Sequence, residues 1–128
     1  ELVGKTGLVG ELAGTGDDPR TLAIRVDMDA LPIQEQTGLE FASQNVGIMH
    51  ACGHDVHTTV GLGTAMVLSQ LPEPLSGRVR FLFQPAEETV QGANWMIRDG
   101  VMDEVTSILG IHTFPSIMGG SVGIRYGA

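Results

Sequence analysis

The sequence predicts an α/β fold: a mostly parallel sheet flanked by helices, with an N-terminal hairpin. Three observations predict it. Strand-like and helix-like patterns alternate from residue 21 to residue 113, the order that yields parallel strands joined by helical crossovers. A turn-rich stretch, TGDDPR, separates the first two strand-like runs. Polar side chains gather directly after apolar runs, where open α/β sheets place their ligand sites.

Each element has its own warrant. TGLVGELAG (residues 6–14) and TLAIRVDMD (residues 21–29) read as strands. The second alternates Leu22, Ile24 and Val26 with Ala23 and Arg25. The Asp-Asp-Pro turn between them predicts that they pair as a hairpin. Residues 30–53 show little periodicity and read as a long ordered loop, a type that is often functional. From Asp55 to Leu71 the period is helical, with Val56, Val60, Thr64, Val67, Leu68 and Leu71 on one stripe. Asp55 is placed to cap this helix, and Pro72 and Pro74 end it. GRVRFLFQP (residues 77–85) is a strand with Val79, Phe81 and Phe83 on one face and Leu82 on the other. TVQGANWMIRDG (residues 89–100) is a second helix, closed by Gly100. VTSILGIHT (residues 105–113) reads as a buried strand, and GSVGIRYG (residues 120–127) as a final one.

The 128 residues suffice for one domain with an apolar core. Net charge is −8 with seven Lys plus Arg, which argues against nucleic acid and anionic membranes as partners. No apolar run is long enough to span a bilayer. One cysteine excludes an internal disulfide and fits a reducing, cytoplasmic setting.

The chemistry concentrates in MHACGHDVH (residues 49–57), which holds three of the four histidines and the only cysteine. Cys52 and His54 lie two apart, and thiolate and imidazole both suit borderline transition metals. QPAEE sets Glu87 and Glu88 directly after a strand, where one carboxylate can hold a metal and the other move a proton. GIHT ends the next run with His112. Asp27 and Asp29 follow the TLAIRV strand, either to orient a ligating imidazole or to cap a turn; spacing does not separate these roles. His50 and His57 stay open. A thiol hydrolase using Cys52 as nucleophile and His54 or His57 as base is the competing reading, and it leaves Glu87, Glu88 and His112 unused. The glycines of GLVGELAG and GLGTAM do not form a dinucleotide fingerprint. Those of GLGTAM fall inside a helix, where they allow close packing.

Taken in order, RVDMDALPIQEQTG, MHACGHDVH, FQPAEE, GANWMIRDG and GIHTFP resemble the motifs of the M20 metallopeptidase clan. The nearest branch is the amidohydrolases that cleave N-acyl amino acids, hippurate and indole-acetyl amino acid conjugates. The resemblance implies a zinc-peptidase-like catalytic domain with two divalent metal ions, whether zinc, manganese, cobalt or nickel. It implies Cys52, His54, Glu88 and His112 as metal ligands and Glu87 as the catalytic glutamate. Asp29 matches an acidic residue behind the ligands. Asp27 stands where related branches carry a ligand histidine.

The resemblance further implies that residues 1–128 are the N-terminal part of the catalytic domain. The inserted lid and dimerisation domain and the C-terminal catalytic segment would then be absent, and the 128 residues alone inactive. The expected substrate is a small N-acyl amino acid, and the expected full-length assembly a homodimer or homotetramer. A non-catalytic metal-binding module is the alternative from another functional class.

Overall fold

The computed structural model describes residues 1–125. Among them five strands form one sheet: β1 (Leu2–Val3), β2 (Gly7–Ala13), β3 (Thr21–Asp27), β4 (Arg78–Gln84) and β5 (Ser107–Gly110). Helix α1 (His54–Ser69) joins β3 to β4, and α2 (Gly92–Arg98) joins β4 to β5. The strand order is β1-β2-β4-β3-β5. The sheet is mixed: β3 runs parallel to both β4 and β5, while β2 is antiparallel to β4 and to β1. The alternation of strands and helices thus produces the α/β layering read from the sequence.

The N-terminal hairpin is present but is built from other strands than expected. It joins β1 to β2 through Gly4, Lys5 and Thr6, with Gly4 and Lys5 at positive φ. The two runs flanking TGDDPR do not pair, because β4 lies between them. The connection is too long for a tight hairpin, and it docks elsewhere: the Gly14 N–H donates to the Gly77 carbonyl (2.8 Å) and the Thr15 N–H to that of Leu75 (3.0 Å). Its Asp-Asp-Pro turn satisfies itself locally. The Arg20 main chain and guanidinium both donate to Asp18 and lower its carboxyl to about 2.

Two apolar layers cover the sheet. Ile24, Val26, Val79, Phe81 and Phe83 form one, packed against Ala65 and Leu68 of α1. Ala23, Leu82, Met96 and Val101 form the other, on the α2 side. The two faces read from GRVRFLFQP are those observed. Strand β3 is buried on both faces, which explains its nearly continuous apolar run.

Four further expectations need correction. The α1 stripe is rotated: His54, His57 and Gly61 are its buried positions, whereas Val56, Val60, Val67 and Leu71 are 41–63% exposed. The helix is apolar on more than one side, so periodicity could not choose; the closest approach falls at Gly61, where a Cβ would stand only 3.0 Å from a Val26 methyl. Asp55 does not cap α1, whose N-cap is Gly53 with no side-chain bond; it stays exposed in the first turn. There its charge still favours the positive helix end. Strand β5 is exposed rather than buried, because it is an edge strand paired only with β3. The expected last strand is absent over residues 121–125, and its remainder lies outside the described residues. Helix α2 ends as expected, with Gly100 at φ 81 just past its C-cap Asp99.

Candidate metal centre

The carboxyl ends of the three mutually parallel strands meet the N-terminus of α1, and the predicted residues gather there. Asp27 is the last residue of β3, Glu87 and Glu88 follow β4, and His112 follows β5. Cys52 and His54 come from the turn that starts α1. That turn needs glycine at its centre. Gly53 has φ 84, and a Cβ there would overlap Thr113 Oγ1.

His54 is the hub. It is 1% exposed, and its Nδ1 lies 2.9 Å from the Asp29 carbonyl and 3.3 Å from that residue's carboxylate. Nδ1–H therefore donates to the main chain and leaves Nε2 with a lone pair. That Nε2 is buried without a hydrogen-bond partner. Around it stand Glu87 Oε2 at 3.7 Å and Glu88 Oε1 at 3.8 Å. Nε2 of His112 lies 3.9 Å from Cys52 Sγ, while Nδ1 of the same ring donates to the Thr113 carbonyl at 2.6 Å. Both imidazoles thus carry their proton on Nδ1, pinned by a carbonyl, and turn Nε2 toward the cluster, as ligating histidines do.

Cys52, His54 and His112 form one group of donors within 4.8 Å of one another, and His54, Glu87 and Glu88 form a second. Bonds of about 2.0–2.3 Å at tetrahedral angles put ligands roughly 3.3–3.8 Å apart, close to these spacings. A buried imidazole nitrogen with no partner, among a thiol, a second imidazole and two carboxylates, fits a transition-metal ion.

The glutamates are presented by a strained turn. Ala86 and Val90 have φ 51 and 57, an uncommon region for residues with a Cβ. The turn closes through bonds from Val90 N–H to the Glu87 carbonyl (2.8 Å) and from Gly92 N–H to that of Ala86 (3.2 Å). Asp29 supports both halves of the cluster: its carbonyl receives His54, and its carboxylate accepts the Glu88 N–H at 3.1 Å.

Asp27 and His57 form a buried pair at the edge of the cluster, with Asp27 Oδ1 also 3.7 Å from His54 Nε2. His57 Nδ1 donates to Asp27 Oδ1 at 2.6 Å, and Arg25 lies 2.6 Å from the other oxygen. Burial alone would push the Asp27 carboxyl up, but the His57 bond and the Arg25 guanidinium outweigh it and hold it below the usual range. Asp27, His54 and His57 are also mutually close. Asp27 and His57, however, are already engaged with each other. The sequence left His57 open, and its three-residue spacing from His54 was the available signal. His50 is exposed and belongs to none of these groups.

The surroundings of Cys52 separate the two chemistries. Desolvation, then Glu88, Glu87 and Asp27, push its thiol above the ordinary value. A nucleophilic cysteine needs the opposite, whereas a bound cation would reverse this field. A cleft of ≈ 420 Å³ lined by Ala51, Cys52, Thr113, Phe114 and Pro115 opens beside the thiol. A slightly larger cleft, lined by Val3, Val9, Arg80 and Asp99 among others, contains none of the donors of this cluster. Among the described residues, no helix is long and apolar enough to cross a membrane.

Residues 23–127 match the family model described as peptidase family M20/M25/M40. The chain is 69% identical over its whole length to a probable hydrolase of Synechocystis sp., of which it covers 33%. It is 51% identical over 123 residues, 96% of its length, to an N-acetylcysteine deacetylase of Bacillus subtilis, covering 32% of that protein. A crystal structure of a dinuclear metal-binding peptidase of the M20 family from Bacillus subtilis superposes with a TM-score of 0.90 at 50% identity, over 94% of this chain and 33% of that one. The chain thus spans about a third of the length of the curated relatives it matches.

Proposed function

The chain belongs to peptidase family M20/M25/M40, and on that premise we propose that the complete protein hydrolyses the amide bond of N-acyl amino acids with divalent metal ions. The observation that carries this reading is the buried, unpartnered Nε2 of His54 facing Glu87 and Glu88. The deacetylase among its relatives supports the substrate class.

Cys52, His54, Glu88 and His112 would hold the metal, with two ions in the complete site, as in the dinuclear structural relative. When bound, such ions polarise a carbonyl and make water more acidic. Glu87 is the more exposed of the two glutamates, with its side chain 40% exposed against 28% for Glu88. Its free oxygen accepts a proton from the attacking water and returns it to the leaving nitrogen, a role typically worth on the order of 10²–10⁴ in rate. Asp29 keeps His54 and Glu88 facing each other throughout.

The test is metal analysis of the full-length gene product together with a panel of N-acyl amino acids, N-acetylcysteine included. Tight metal, hydrolysis of at least one member, and reversible loss of activity on chelation are expected. Glu87→Gln should keep its metal and lose roughly 10²–10⁴ in turnover. Metal without hydrolysis would make the protein a binding module. Activity that survives chelation but not alkylation of Cys52 would establish the thiol mechanism instead.

A further inference from the structure

His57 has no lone pair to offer a metal. Its Nδ1–H goes to Asp27, and its Nε2 accepts the Thr113 main-chain N–H at 2.8 Å, with Thr113 Oγ1 at 3.2 Å. Yet it is fully buried and directly behind the cluster. We propose that His57 is a positioning residue that fixes His112 through the Thr113 peptide, in a chain running Arg25–Asp27–His57–Thr113–His112.

Each link is a short contact. Arg25 is tied to the end of β4 by Nε–H donation to Gln84 Oε1 at 2.8 Å, and it meets Asp27 at 2.6 Å. Asp27 is further anchored to α1 by the Thr58 hydroxyl, which donates to its carbonyl at 2.9 Å. The Thr113 peptide is then held on both sides, its N–H by His57 and its carbonyl by the Nδ1–H of His112. The His57 ring also meets the His112 ring edge-on, with centroids 4.7 Å apart. His112 needs such support. It is exposed, it follows an edge strand, and residues 111–114 have no regular structure. The overlap that a Cβ at residue 53 would make with Thr113 Oγ1 shows that the Thr113 side chain also packs against the turn that starts α1. A buried pair such as Asp27 and His57, bonded to each other and to the Thr113 main chain, rigidifies what it touches.

This inference rests on His112 being a ligand, so the experiment tests both statements separately. Cobalt(II) is titrated into the metal-free full-length protein, following thiolate-to-cobalt and d–d absorption, for wild type, His57→Asn and His57→Gln. The Asn amide reaches the Nδ1 position and keeps Asp27 but loses Thr113; the Gln amide reaches the Nε2 position and keeps Thr113. Cobalt affinity should fall roughly 10- to 100-fold in His57→Asn, with altered d–d bands, the usual consequence of removing a group behind a ligand. His57→Gln should stay near wild type. A merely structural His57 would lower the melting temperatures of both metal-free variants and leave their cobalt affinities alike; that result overturns the proposal. If wild type itself binds no cobalt, the metal reading falls first and the positioning role with it. Should His57→Asn not fold, imidazole ¹⁵N spectra of the metal-free wild type decide: the Nδ1–H tautomer of His57 supports the chain, and the Nε2–H tautomer overturns it.

Discussion

Asp27 and Cys52 both stand close to His54 and respond to the surrounding charge in opposite ways. The Asp27 carboxyl is held below its usual range, so the folded state binds fewer protons in acid than the unfolded chain. Its stabilising contribution is complete above the ordinary carboxylate value of about 4 and is lost as pH falls through the lower folded value. Urea midpoints of the metal-free protein should therefore drop from pH 5 to pH 3, and drop less in Asp27→Asn. The Cys52 thiol is pushed up by desolvation and by Glu88 and Glu87, so the metal-free protein should alkylate slowly at pH 7. Substituting Glu88→Gln should speed that alkylation severalfold, measured by mass spectrometry. Faster alkylation of wild type than of a free thiol would contradict the field described for this residue.

At the scale of elements, helix α1 carries two glycines two residues apart with opposite meanings. Gly61 meets Val26 and Phe83, and a Cβ there would come within 3.0 Å of a Val26 methyl. Gly63 has nothing within 4 Å. Gly61→Ala forces the helix off β3 and should destabilise by about 1–3 kcal/mol. Gly63→Ala should stabilise by up to about 1 kcal/mol, because it removes a flexible residue from a helix interior. Denaturant unfolding of the two variants reads this difference directly. The GLGTAM stretch announced close packing without saying which glycine provides it, since that depends on which helix face meets the sheet. The turn after β4 is similar. Nothing in QPAEETV indicates that Ala86 and Val90 adopt positive φ; that conformation follows from the turn that carries Glu87 and Glu88 to the cluster.

For the whole molecule, metal bound only by the folded state stabilises it by mass action, about 2.7 kcal/mol at a hundredfold excess over Kd. The melting temperature of the full-length protein should rise with cobalt concentration in wild type and stay flat in Cys52→Ser and His112→Ala; parallel rises in all three would remove these residues from the site. The alternation of strands and helices, the two faces of β4 and the strand ends where polar residues collect were legible in the amino-acid order, because these depend on local periodicity and on turn chemistry. The same order also carried the family motifs. Packing set the rest: β4 separates β2 from β3, α1 turns Gly61 rather than its valines inward, and His57 binds Asp27 and Thr113. Those outcomes depend on contacts between residues distant in the chain: Thr113 lies 56 positions from His57, and Asp27 lies 30. No local pattern encodes which of several apolar faces, or which of four histidines, a remote segment will meet.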